Sequence, residues 1–390
     1  MNKTVGHAPS SQRSTAFTVS HLIGLEYNNI QDWRSRLLTH QSRYLIAPQL
    51  RVYDSLPTVL APYVTYISKP NFYSKVVNTD PNGFRLSTAK TSSGLRFIDS
   101  ANWWRHEHRA IMIGDSFTFG VGASTDDHTV ASQLNSLSRY SFLNLGIRAS
   151  NSTQQIISAI PFLSSTESVL YIGAINNLTA EIQSDGRNSL FGPLFGEVAI
   201  DRLSAHSIFE LASICEGSMN NISTRRLIRE IRQRLVNKIT RQQTFAGACL
   251  PRSNLGADAD GSLNASAQTA VDRYERDLSI IIRAIPRGSK ILFAAQPFAG
   301  THFKQPSQEE VDLFQITDAL QHDDWLVLKQ VLVKVWTRYV ALLGEMCSRL
   351  GISFVDLNSV DLQGWSFVDR VHMTDFGNHQ IATFVANKSL

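Results

Sequence analysis

From residue 109 onward the chain alternates between short apolar runs and longer amphipathic stretches. The runs are RAIMIG (109–114), SFLNLG (141–146), ESVLYIG (167–173), KILFAAQP (290–297) and ISFVDL (352–357). They are short and lack a regular apolar–polar alternation, as expected of strands covered on both faces in a parallel sheet. Between them, TVASQLNSLSR (129–139) and VLKQVLVKVWTRYVALLGEMCSRLG (327–351) repeat apolar residues at helical spacing. The second ends at Gly351, a residue suited to the position just past a helix end. Strands alternating with helices predict a three-layer α/β fold.

Other parts of the chain follow different patterns. Residues 1–20 are polar and rich in Ser and Thr, the composition of a flexible terminus. Residues 21–105 are aromatic-rich with scattered prolines, and APYVTYISKPNFYSKVVNTDPNGFRLS alternates β-branched or aromatic residues with polar ones. Short strands are expected there, joined by a turn at Asp80-Pro81-Asn82-Gly83, with no helix between Pro57 and Arg96. This is read as an N-terminal β-rich accessory module. Residues 106–390 form the α/β domain, interrupted by a polar insertion at about 180–275 that contains NLGADADGSLNASAQ and one helical segment.

Composition agrees with a globular chain: 43% of residues are hydrophobic and 18% charged. A formal net charge of +4 permits contact with phosphates, coenzyme A or RNA without requiring it. The three cysteines, Cys215, Cys249 and Cys347, are widely spaced and form no CxxC, which favours a reducing compartment over a disulfide framework or a zinc site. The N-terminal MNKTVGHAPSSQRSTAFTVS lacks the apolar core of a signal peptide, and no stretch approaches the roughly 18 apolar residues of a membrane span. A cytoplasmic protein is expected. His21, His106, His108, His128 and His302 are scattered without metal-ligand spacing, so neither metal nor cofactor is expected.

Candidate chemistry begins at Gly114-Asp115-Ser116-Phe117-Thr118-Phe119-Gly120. It follows a buried strand and opens a helix, and ligands of open α/β sheets bind at such strand ends. Asp and Ser also serve as plain helix caps, but the longer run GDSFTFGVG is harder to account for that way. It resembles the first block of the SGNH/GDSL hydrolase family, and the absence of a GxSxG elbow disfavours an α/β-hydrolase. Three further stretches resemble the family's remaining blocks. Asn144-Leu145-Gly146 is similar to the second, which implies the Gly146 backbone N–H as an oxyanion donor. Gly173-Ala174-Ile175-Asn176-Asn177 stands where the family has Gly-x-Asn-Asp, with one extra residue before Asn and no Asp after it. Asn176 is the candidate oxyanion donor there and Asn177 the alternative. Asp369-Arg370-Val371-His372 is similar to the closing Asp-x-x-His block. The resemblance spans about 109–390 apart from the insertion. It implies a flavodoxin-like three-layer fold and a triad of Ser116 as nucleophile, His372 as base and Asp369 as its orienting carboxylate, with an oxyanion hole from the N–H groups of Ser116 and Gly146 and the Asn176 amide.

The helical segment of the insertion, residues 224–241, is basic. Leu227, Ile231, Leu235 and Ile239 share one face, and Arg225, Arg226, Arg229 and Arg232 lie among the rest. A solvated face is the plain interpretation; an anion-binding cap for an acyl-coenzyme A, a carrier-protein arm or RNA is the other. No RNA-binding motif accompanies it, so nucleic acid is disfavoured as a partner. Three functions remain open from sequence. The first is an esterase acting on a small-molecule, lipid or carbohydrate ester. The second is an acyltransferase using an anionic acyl carrier or RNA-linked donor, and the third a non-catalytic binding module of the same fold.

Overall fold

The computed structural model describes residues 40–91, 94–184, 259–320 and 323–388. The basic segment with Arg225, Arg226, Arg229 and Arg232, the residues 1–20, and Cys215 and Cys249 lie outside the described residues.

Residues 40–46 are helical and lead into helix α1 (Leu50–Ser55). Two antiparallel hairpins follow: β1 (Thr58–Ala61) with β2 (Thr65–Ser68), and β3 (Ser87–Thr91) with β4 (Gly94–Ile98). The turn expected between them is present. The Asp80 carboxylate accepts the N–H groups of Asn82 and Phe84, each at 2.9 Å, and Gly83 adopts φ +83°. A side chain at Gly83 would also strike the Ser68 carbonyl.

The α/β portion runs β5 (Arg109–Gly114), α2 (Ser116–Phe119), α3 (Val130–Leu137), β6 (Ser141–Gly146), α4 (Ser152–Leu163), β7 (Ser168–Gly173) and α5 (Ile175–Gln183). After residue 258 it continues with α6 (Ala259–Ala284), β8 (Lys290–Ala295), α7 (Gln308–Leu320), α8 (Asp323–Leu350), β9 (Ser353–Asp356) and α9 (Asp375–Ala386). The five strands β5 to β9 form one parallel sheet in the order β6-β5-β7-β8-β9. Counted by their place in the chain this is 2-1-3-4-5, the flavodoxin-like order, so the fold is α/β and doubly wound.

The strands lack period-two polarity because both faces are covered. Ile111, Ile113, Leu143, Leu145, Val169, Tyr171 and Phe293 pack in one cluster with α4, α6 and α8. Their neighbours Ala110, Met112, Phe142, Leu170, Ile172 and Leu292 pack in a second cluster with α3 and α9. Helix α6 begins inside the stretch assigned to the insertion. Its Ser, Asn and Gln residues suggest a loop, but Leu263, Ala267, Ala270, Val271, Tyr274, Leu278 and Ile281 form a buried stripe. Packing of that stripe outweighs weak local propensity.

The N-terminal hairpins share the core with the sheet. Ile67, Phe84, Ile98 and Trp103 join the first cluster, and the Trp103 indole donates to the carbonyls of Ala110 and Ser141 at 2.9 and 3.0 Å. A third cluster joins Leu50, Tyr53, Leu56 and Val77 to Phe119 and Val368. Among the described residues no helix is long and apolar enough to cross a membrane. Cys347 is buried and free, and burial pushes its thiol up to about 12.

Candidate active site

The chain reverses its direction of growth across the sheet between β6 and β7, which leaves a crevice beyond the carboxyl ends of β5 and β7. The segment after β5 turns sharply there. Gly114 has φ +157°, and a side chain on it would meet the Ile172 carbonyl at 2.1 Å. Asp115 caps α2 by accepting the Phe117 N–H at 2.9 Å, and Gly120 ends the helix at φ +85°. Ser116 is therefore the first residue of a one-turn helix, where backbone N–H groups have no intrahelical acceptor.

The closing segment is a tight loop. Phe367 and Met373 form an antiparallel bridge, and the Val368 N–H donates to the His372 carbonyl at 3.0 Å. Inside it, one Asp369 oxygen accepts the N–H groups of Val371 and His372, each at 2.9 Å. The other lies 2.7 Å from His372 Nδ1, and His372 Nε2 lies 2.8 Å from Ser116 Oγ. The structure thus joins Asp369, His372 and Ser116 in one hydrogen-bonded chain, although 256 residues separate the serine from the histidine. Burial pushes the Asp369 carboxyl up, but the charge and hydrogen bond of His372 and the Val371 N–H outweigh it and hold the group at about 2. An ionised Asp369 fixes the tautomer with Nδ1 protonated, which leaves Nε2 to accept from the serine.

The expected oxyanion donors are placed unequally. Gly146 pairs with Gly114 across the sheet, and a side chain there would meet the Phe119 backbone nitrogen at 2.2 Å. Its absence lets α2 settle on β6. The Gly146 N–H, expected to face an oxyanion, donates instead to Asn144 Oδ1 at 3.0 Å. Asn177 is 1% exposed and spends its amide on Ser152, accepting from its N–H and donating to its hydroxyl. Asn176 is partly exposed and donates one Nδ2 hydrogen to the Ser150 carbonyl at 2.9 Å. An amide nitrogen carries two hydrogens, so a second donor remains.

Two features escaped the sequence. Asp115 is 1% exposed, and its Oδ2 has no hydrogen-bond partner. Burial raises this carboxyl to about 6, against the Phe117 N–H bond and the nearby charge of His372. The second feature is a clamp on the Ser116 turn from the segment that precedes β5. Arg85, fully buried, donates to the Gly120 carbonyl, the Tyr53 hydroxyl and the Val76 carbonyl, each at 2.7 Å, and pairs with Asp126 at 2.8 Å. Tyr53 Oη in turn donates to the carbonyls of Gly120 and Ala123. A lone Arg in a strand-like stretch carries no signal that could have marked this role.

His106 and His108, singled out before β5, bond to Ser141 and Glu167 and tie the connector to the sheet. Among the described residues, no group of three or more His, Cys, Asp and Glu is arranged to hold a metal. A groove of about 540 Å³ lined by Ser168, Pro286, Lys290, Leu350 and Ser353 lies at the amino ends of the strands, opposite the site.

No family model matches the chain, and no curated protein matches it in sequence. Among solved structures, the fold is similar to an extracellular lipase from Streptomyces rimosus, at 12% identity over 73% of this chain and 100% of that one, with a TM-score of 0.41. It is also similar to a carbohydrate acetylesterase family member from Sinorhizobium meliloti, at 10% identity over 72% and 96%, with a TM-score of 0.38. The aryl esterase of M. smegmatis gives 13% identity over 72% and 97%, with a TM-score of 0.35.

Proposed function

We propose that the chain is a serine-dependent acyl-transfer enzyme of the SGNH type, acting as an esterase on a small-molecule, lipid or carbohydrate ester. The observation that carries the reading is the continuous chain from Asp369 through His372 to Ser116 Oγ, with contacts of 2.7 and 2.8 Å. A serine hydroxyl is a poor nucleophile unless a base within hydrogen-bond reach removes its proton as it attacks.

His372 takes that proton through Nε2 while the Ser116 oxygen forms a bond to the ester carbonyl carbon. Asp369 stabilises the resulting imidazolium without itself becoming protonated. The negative charge then on the former carbonyl oxygen is met by the Ser116 N–H at the start of α2 and by the remaining hydrogen of Asn176. Gly146 joins them only if its N–H leaves Asn144. The imidazolium returns the proton to the leaving alcohol, and water activated by the same histidine releases the acyl group.

A fluorophosphonate probe tests the reading, because it reacts with an activated serine whatever the natural substrate. Labelling of the native chain and none of Ser116→Ala is expected, with p-nitrophenyl acetate turnover falling by at least about 10⁴-fold in the variant. An unlabelled native chain would point to the binding-module alternative. The same chemistry passes the acyl group to an alcohol or amine in a transferase. Turnover that needs an added acceptor would reassign the chain to that class.

A further inference from the structure

Helix α7 lies between β8 and α8 and contributes nothing to the Ser116–His372–Asp369 chain, yet three of its side chains grip the loop that carries two of those residues. Glu310 is fully buried. Its Oε1 accepts the N–H groups of Ser366 and Phe367 at 2.8 and 2.9 Å, where the loop begins. Its Oε2 accepts the Ser307 N–H at 2.7 Å and the Lys304 ammonium. One helical turn on, Phe314 lies under the Arg370 guanidinium, 4.8 Å from ring to charge. A turn further, Asp318 pairs with Arg370 at 2.7 Å and is itself held by Lys329 at 2.8 Å. Arg370 stands between Asp369 and His372, and its carbonyl accepts the Ala299 N–H at 2.9 Å.

Residues 310, 314 and 318 are spaced by four, so they form one stripe along the helix. The stripe meets the loop at its entrance and at its crown. A buried carboxylate that accepts two consecutive backbone N–H groups is a rigid anchor, because charged hydrogen bonds are the stronger kind and leaving those N–H groups unmet inside the protein is costly. The loop's own bonds fix Asp369 against His372. They do not fix the loop against Ser116, which belongs to a different element; α7 adds that constraint to the packing of Val368 with Phe119 and the Ala299–Arg370 bond.

We propose that Glu310, Phe314 and Asp318 are positioning residues that hold the 366–373 loop, and with it the His372 imidazole, in register with Ser116. The inference rests on the esterase reading above. Displacing a reacting group by about 1 Å can cost about 100-fold in rate without touching substrate affinity, and that asymmetry is the signature of positioning.

The test uses the full chain and the variants Glu310→Gln and Asp318→Asn. Three quantities are read: p-nitrophenyl acetate kinetics, the rate of fluorophosphonate labelling, and the far-downfield proton resonance of the imidazole N–H bonded to Asp369. Glu310→Gln is expected to lower kcat by about 10- to 100-fold with KM within about threefold, and to slow labelling equally. Asp318→Asn is expected to lower kcat by a smaller factor, with the same KM behaviour. The downfield resonance should persist in both, because the Asp369–His372 bond is internal to the loop. Variants that fold as the parent and keep its kcat and labelling rate overturn the inference. So does loss of the downfield resonance, which would mean the loop itself has come apart. If Glu310→Gln does not fold, Asp318→Asn decides, since the Arg370–Asp318 pair is 18% exposed on each side and tolerates change. Failure of the native chain to label, with its downfield resonance intact, would instead sink the esterase reading.

Discussion

Asp115→Asn is expected to make the folded chain more stable above about pH 6 and less stable, by about 1–2 kcal/mol, near pH 4. The carboxyl is 1% exposed; one oxygen caps α2 and the other has no partner. Burial raises it from 3.8 to about 6, with the Phe117 N–H and the charge of His372 opposing. The folded state therefore holds this proton more tightly than the unfolded state does. The stability tied to it is fully present below about pH 4 and is lost as pH rises through about 6. A shift of about two pH units corresponds to about 3 kcal/mol at 1.36 kcal/mol per unit. Asparagine keeps the capping oxygen and cannot ionise, but its amide nitrogen inherits the unpartnered position at a cost of about 1–2 kcal/mol. A net gain of about 1–2 kcal/mol at pH 8 follows. Urea unfolding of parent and variant at pH 4, 6 and 8 measures it. If the difference between them does not grow over that range, burial does not raise the Asp115 carboxyl.

Other substitutions probe the supports of the site. Arg85→Met leaves Asp126 charged and buried and is expected to cost about 3–5 kcal/mol in the same unfolding assay, with part regained in Arg85→Met/Asp126→Leu. Gly146→Ala drives a methyl group into the Phe119 backbone nitrogen and should slow fluorophosphonate labelling as well as destabilise, because α2 must move. The depressed Asp369 carboxyl works in the opposite sense to Asp115. Its stabilisation, about 2 kcal/mol for a change from 3.8 to about 2, is complete above about pH 4 and lost as pH falls through about 2. Asp369→Asn should remove that part of the acid dependence in urea titrations between pH 2 and 5.

The sheet was legible in the sequence because its strands are covered on both faces, which leaves compact apolar runs too short for helices and set between amphipathic stretches. The turn at Ser116 was legible for a related reason: Gly114, Asp115 and Gly120 each meet a local backbone need that few residues satisfy. What stayed hidden depends on contacts distant in sequence. Gly146 N–H was expected to be free, but the Asn144 side chain two residues earlier takes it, and strand position alone does not reveal that bond. The exposure of Asn176 and the burial of Asn177 follow from which side of α5 faces Ser152, and the adjacent letters are identical. Glu310 and Asp318 look like ordinary charges on a helix until the closing loop is laid against them. The polar opening of α6 misleads for the converse reason, since its apolar stripe acquires meaning only once α8 and α4 are there to cover it.

The loop from Phe367 to Met373 also has a bearing on how this site could be rebuilt elsewhere. Asp369 and His372 sit within one self-closed hairpin-like unit whose internal bonds do not involve the sheet. Such a unit behaves as a cartridge: transplanted onto another scaffold, it would carry the Asp369–His372 geometry with it, while the grip of Glu310 and Asp318 would have to be rebuilt. The serine turn cannot travel in the same way, since it borrows its shape from Gly146 and Arg85. An engineer reconstructing this chemistry would therefore choose the host for its nucleophile corner first and fit the histidine loop afterwards.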